Sequence, residues 1–372
     1  MEASERLRQA GAVIEDGVVR AFDDPLAEVE LAQSGAGTLV VPLLTTTALV
    51  VGGSDRAPFL HGQLSNVVQG LPVGACRRAL QLDARGRVVG ETLVAVRDET
   101  IELAVDDGRG LAVRGSLEQH VVFDDVAIDD QAGVRVSVTV QGAGAGRLLE
   151  RVVGPAPAPG SFALAPFDGA SVVIAERRRS LAGGYDLHLP VGQLGALLSA
   201  LRTAGGTLAG ERALALARVL AGVASAAHDG GPSALPQEIG LAPAVSFAKG
   251  CYLGQEIMAR IEARGAVKRG LARVTLHGDA LPPERGSDRR LWHDGREAGW
   301  LGEWVRAPDG RRLALAVVRR GLPPVTLATI EGAEVRALSD TWDGLEPPPA
   351  EGADGPRRDG AVQPAGPSAS DL

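Results

Sequence analysis

Residues 249–256 read KGCYLGQE. The chain has only two lysines, two cysteines and two tyrosines, and this octapeptide, from Lys249 to Glu256, holds one of each. The other 36 of its 38 basic residues are arginine, so a lysine marks a place where a compact ammonium that can lose its proton is wanted. Downstream, Leu253, Ile257, Ile261 and Ala266 recur on one apolar face, while Gln255, Glu256, Arg260 and Arg264 fall elsewhere. That spacing predicts a short helix ending near Gly265, with a turn at Gly250 and Cys251 just before or inside the first helical turn. A thiol placed there beside Lys249 has its thiolate form favoured by the helix dipole and by the neighbouring charge. The competing reading makes Cys251 a small buried hydrophobe, the commoner fate of a lone cysteine. Cys76 has no comparable neighbourhood and reads as a core residue.

Composition bounds the alternatives. A chain of 372 residues, 45% apolar and 23% charged, is a soluble globular protein with room for two or three domains. A net charge of -8 argues against direct nucleic-acid binding as its main task. The run Glu176-Arg177-Arg178-Arg179 reads as a solvated face. Two cysteines 175 positions apart make neither a disulfide framework nor a four-thiolate metal site. Four cysteines of its own for an iron-sulfur cluster are likewise absent. The expected setting is the reducing cytoplasm. The acidic start Met-Glu-Ala-Ser-Glu-Arg carries no apolar stretch, which disfavours a signal or transit peptide. Leu39 to Gly53, the most apolar window, is too short for a membrane span and is broken by Pro42, so it reads as two buried strands.

Val-, Leu- and Thr-rich runs at 38–43, 46–51, 88–96, 101–105 and 134–140 predict strands, with Asp98-Glu99 as a hairpin turn. Helical patterns are expected at 57–63, 110–120, 148–153, 193–203 and 210–220. The irregular alternation favours an α+β class. TALVVGGSDRAPFLHGQL and VSVTVQGAGAGRLLERVV share one plan of apolar strand, glycine turn and helix, which suggests an internal duplication. Gly142-Ala-Gly144-Ala-Gly146 lacks the full spacing of a dinucleotide loop and reads as a tight turn. Beyond Gly265 the pattern is of short strands and turns, a small β-barrel or sandwich. The segment from 343 to 372, rich in Pro, Gly and Ala, is expected to be disordered.

VSFAKGCYLGQEIMARIEARGAVKRGL, residues 245–271, closely resembles the signature of the YgfZ family of folate-binding, iron-sulfur-cluster maintenance proteins, relatives of the glycine-cleavage T-protein. FLHGQLSN (59–66) resembles the family's first helix, LDARGRVVGETLV its central hairpin, and DGREAGWLGEWV its C-terminal barrel. The resemblance implies a T-protein-like ring of three subdomains, with the signature lining a central folate-sized hole. Two similar α+β subdomains, at about 12–140 and 141–265, would form the folate-binding region 1–265, and residues 266–342 the barrel. It implies tetrahydrofolate or a derivative as cofactor, with Asp186, Tyr252, Gln255, Glu256 and Arg260 as contacts, and no metal site. Asp186, in GGYDLHLP, can accept two parallel N–H bonds from an aminopterin edge. It can equally be an acid alternating outward on an edge strand.

The T-protein hairpin carries a pair of aspartates where this chain has Gly90 and Glu91. Glycine offers no carboxylate to orient an attacking amine, which argues against aminomethyl transfer. The first reading is therefore a monomeric accessory protein that binds folate and uses Cys251, with Lys249 as its neighbour, in the assembly or repair of iron-sulfur clusters. Its partners would be iron-sulfur proteins or cluster assembly factors, with effects on cluster-dependent tRNA modification. The alternatives are a folate-dependent one-carbon transferase in which Glu91 replaces the missing aspartate, and a folate-binding module with a structural cysteine.

Overall fold

A computed structural model describes residues 2–22, 24–231, 234–264, 267–282, 288–322 and 326–338 of the chain. Its helices are α1 (Glu2–Gln9), α2 (Pro25–Ser34), α3 (Arg56–Gln63), α4 (Gly110–Glu118), α5 (Ala145–Val152), α6 (Leu194–Thr203), α7 (Glu211–Ala221) and α8 (Gln255–Arg264). The disorder expected from 343 onward lies outside the described residues.

Two sheets form the body. The first has five antiparallel strands in the order Cys76–Leu82, Val88–Val96, Ile101–Val105, Thr47–Gly52 and Ala127–Asp130. The second has six, in the order Phe162–Phe167, Ala170–Glu176, Gly184–Pro190, Arg135–Gln141, Leu39–Leu43 and Thr207–Leu208, with only the last pair parallel. Leu39–Leu43 precedes the whole first sheet in the chain yet pairs into the second. The first subdomain, 47–130, is thus inserted into the second, and the expected boundary at 140 does not separate them.

The shared strand–glycine–helix plan is real. Thr47–Gly52 turns at Gly53 into α3, and Arg135–Gln141 turns at Gly142 into α5. Gly53 has φ +97° and Gly142 φ +126°, and a Cβ at either would overlap a carbonyl, that of Asp125 or of Gly37. Only glycine meets both demands, which accounts for the turn at 142 without a dinucleotide. Asp-Gly pairs at 16–17, 107–108, 168–169 and 294–295 each place both residues at positive φ, the backbone that tight two-residue turns need.

Each layer buries one apolar face. Leu148, Leu149, Leu194, Leu197 and Leu201 of α5 and α6 cover the six-stranded sheet, and Phe59, Leu60, Val113 and Leu117 of α3 and α4 cover the five-stranded one. A closed barrel follows, in the order Arg269–His277, Arg312–Arg319, Arg296–Arg306, Arg290–His293, Leu327–Ala328 and Glu334–Ala337. A further core, containing Leu80, Leu82, Leu214, Tyr252, Met258, Leu313 and Leu315, joins the hairpin, α7, α8 and the barrel. The α+β ring with a C-terminal barrel stands as expected.

Candidate functional site

Lys249 and Tyr252 point into the protein, and Phe247, Ala248, Gly250 and Cys251 point out. The cause lies at the C-terminal end of α3. Helix ends leave carbonyls without amide partners and carry a partial negative charge. The Lys249 ammonium has three donors, and it donates to the carbonyls of His61, Leu64 (2.6 Å) and Asn66 (3.1 Å). Its Nζ also sits 4.8 Å from the centre of the Tyr252 ring, a cation–π contact. Burial pulls Lys249 down to about 8 and pushes Tyr252 up to about 12. The carbonyls oppose the first shift, because they favour the charged amine. The Leu253 amide donates to Gly62 O at 3.2 Å and the Tyr252 amide to Gln255 Oε1 at 3.1 Å. The cysteine loop is therefore pinned on both sides of the exposed thiol.

Two expectations change here. α8 starts at Gln255, four residues after Cys251, and the left-handed turn between them is at Gly254 (φ +84°), not Gly250. Neither the helix dipole nor a loose ammonium stands at the thiol; Lys249 is an anchor rather than its charged neighbour. Gly254 is required because a Cβ there would come 2.6 Å from Asp83 O, on the turn of the central hairpin. His61 is half-buried, and its Nδ1 accepts from the amides of Val68 (3.3 Å) and Gln69 (3.2 Å).

Where the two sheets face each other, three carboxylates alternate with three guanidiniums. Arg78 bonds Glu91 (2.5 Å), which takes Arg177 (2.6 Å); Arg177 reaches Asp106 (2.8 Å), which takes Arg179 (3.0 Å), and Arg179 ends on Asp186 (2.7 Å). Gln141 holds the arginine segment in place, donating from Nε2 to Arg177 O at 2.8 Å and accepting from the Arg179 amide at 2.9 Å. Burial alone would raise Glu91 and Asp106, but the guanidiniums outweigh it: Arg177 and Arg78 hold Glu91 at about 2, and Arg179 and Arg177 hold Asp106 well below the carboxylate range. The arginine run expected on a solvated face is buried instead, Arg177 at 5% and Arg179 at 8% exposure. Sequence reasoning missed this network. Its signal is the recurrence of Glu91, Asp106 and Asp186 in or beside apolar strands.

The cavity at this junction is lined by Thr46, Arg78, Glu91, Asp107, Arg178 and His228, among others, and measures about 50 Å³. Pockets for small organic ligands run to about 300–1,000 Å³. Glu91, Asp106 and Asp186, the acids that can grip an aminopterin edge, are all paired with arginines. In this arrangement the residues do not fit a folate. Asp186 is 2% exposed on a central strand, so it is not an outward acid on an edge strand, and it does not line the cavity. Nor do Tyr252, Gln255, Glu256 and Arg260: the first is core, the second caps the loop, and the last two pair with each other at 3.8 Å on the exposed side of α8. None of the described residues of the signature lines this cavity. Gly90 has a steric reason, since a Cβ there would overlap Val113 of α4 and come 3.3 Å from Arg109 Cβ; an aspartate has no room. Among the described residues no cluster of three or more His, Cys, Asp or Glu can hold a metal, and no helix is long and apolar enough to cross a membrane. Cys76 is buried with Leu93, Ala104 and Ala175 between the sheets.

The family model of the GCVT N-terminal domain matches residues 7–249. The chain belongs to that family. The matched span stops at Lys249, so Cys251 and α8 lie beyond it. Within the family the chain groups with the YgfZ proteins: it is 29% identical to the tRNA-modifying protein YgfZ of Klebsiella pneumoniae over 74% of this chain and 83% of that one. It is 30% identical to the mitochondrial iron-sulfur cluster assembly factor IBA57 of Homo sapiens, over 67% of this chain and 69% of that one. Among solved structures, the glycine cleavage system aminomethyltransferase T of Bartonella henselae superposes with a TM-score of 0.75, covering 93% of this chain and 98% of its own, at 17% identity. That last likeness establishes the fold alone.

Proposed function

We propose that this protein is an accessory factor for the assembly or repair of iron-sulfur clusters in other proteins, with effects on cluster-dependent tRNA modification, and that Cys251 is the group through which it acts. It works in the cytoplasm as a monomer, on iron-sulfur proteins or cluster assembly factors. The observation that carries the reading is the exposed Cys251 on a loop held by Lys249 and Tyr252, a thiol presented to a partner rather than to a cavity. The YgfZ and IBA57 relatives, whose names speak of tRNA modification and cluster assembly, support the same direction. No step runs through a folate, because the central residues do not fit one.

The transferase alternative has little support. Glu91, its candidate base, is held at about 2 and bonded to two arginines, whereas a general base works best with a pKa near the operating pH. The test is rescue of a cluster-dependent enzyme in cells lacking the protein. Wild type should restore activity and Cys251→Ser should not, with both variants equally abundant and folded. Full rescue by the serine variant removes Cys251 from the function.

A further inference from the structure

A second cavity, of about 410 Å³, lies beside the first turns of α7 and is lined by Arg20, Pro25, Leu26, Val29, Trp304 and Arg306 among others. It falls within the range of small-molecule sites, eight times the volume of the central one. Its walls are fixed in advance. Buried Glu28 of α2 accepts the Phe22 amide at 2.7 Å and the Gly210 amide at 2.8 Å, tying α2 to the Val18–Ala21 strand and to the start of α7. The Trp304 indole donates its only N–H to Pro282 O at 2.9 Å, so what it offers the cavity is apolar ring surface.

Arg20 is the unusual member. Its side chain is 18% exposed, its Nε is sealed from solvent without a hydrogen-bond partner, and among the described residues its ion pair is with Glu15 at 3.6 Å, beyond hydrogen-bonding distance. A guanidinium so far buried normally has acceptors. Three arginines (Arg20, Arg212, Arg306) face two glutamates (Glu211, Glu303) in the lining, an excess of positive charge in a chain of net charge -8.

We propose that this cavity binds an amphipathic organic anion, a small carboxylate with an apolar or aromatic body. Its body packs on Trp304, Leu26 and Val29, and its carboxylate pairs with the accessible part of the Arg20 guanidinium rather than with the sealed Nε. Glu211, Ala215 and Glu303 line this cavity and the central one alike, so the ligand touches residues at the junction of the subdomains. The site is separate from the Cys251 loop and does not depend on its role.

The full-length protein is titrated with 4-phenylbutyrate, with its neutral counterpart 4-phenylbutanol and with inorganic phosphate, by saturation-transfer NMR and tryptophan fluorescence. The expected result is saturable binding of the carboxylate, weakened tenfold or more in the alcohol and in Arg20→Met, the scale of one charge-assisted hydrogen bond. A fluorescence response should vanish in Trp304→Phe while the NMR signal persists. If Arg20→Met fails to fold, the carboxylate–alcohol difference in the wild type decides. Equal binding of acid and alcohol, phosphate binding as tight as the carboxylate, or no saturation at millimolar concentrations overturns the proposal.

Discussion

The subdomain junction and the cysteine loop each bury cations, and the outcomes are opposite. At the junction, Arg177 and Arg179 meet Glu91 and Asp106 from the other sheet, and a chain of ion pairs closes the cavity. In the loop, Lys249 meets carbonyls and an aromatic ring but no carboxylate among the described residues, and its burial turns the neighbouring thiol outward. A charge matched by opposite charge seals a space, whereas one matched by the end of a helix fixes the position of a loop. The T-protein fold is kept at both places, but its centre is closed and its signature segment faces away from it.

Changes at the junction should be the costliest. Asp106→Asn removes a charge shared by Arg177 and Arg179, and uncompensated buried charges of this kind cost about 3–5 kcal/mol; denaturant unfolding measures it. A loss below 1 kcal/mol would mean that the ion pairs do not hold the sheets together. Acid should have the same effect reversibly. Glu91 falls from an ordinary 4.5 to about 2 in the folded chain, so the stability it contributes is complete above pH 4.5 and is lost as the pH drops through 2. A stability curve flat from pH 5 to pH 2 contradicts this.

Gly90→Ala, which crowds Val113, should cost about 1–3 kcal/mol, read from the same unfolding curves. Lys249→Met leaves the α3 carbonyls without their donor, at about 1–3 kcal/mol, and should speed hydrogen exchange in residues 247–254; unchanged exchange would make the lysine dispensable as an anchor. Smallest on folding is Cys251→Ser, within about 0.5 kcal/mol of wild type as befits an exposed side chain, although its effect on cellular rescue should be complete.

The elements were legible because local pattern decides them. The strands at 88–96 and 101–105 and the helix at 57–63 lie within a residue of the observed bounds, and the barrel shows in its short strands and turns. The arginine run was not legible. A row of charges at a strand end has the same local pattern whether it meets water or acids, and Arg177 finds Glu91 86 positions away and Asp106 71 positions away. The helix inside the signature ends where its apolar spacing predicts, but the turn that separates it from Cys251 was not legible, since a positive φ at Gly254 answers to the Asp83 carbonyl on a distant hairpin.

The sequence by itself determined the α+β class, most of the elements that were read, the barrel and the family, because hydrophobic period, turn residues and a rare-residue signature act over a few positions. Only the tertiary structure decided that Lys249 is an anchor, that the signature turns from the hole, and that the arginines are interior. Those properties depend on which carbonyls and carboxylates the fold brings within 3 Å of a buried cation, and pairing across a hundred residues leaves no local trace.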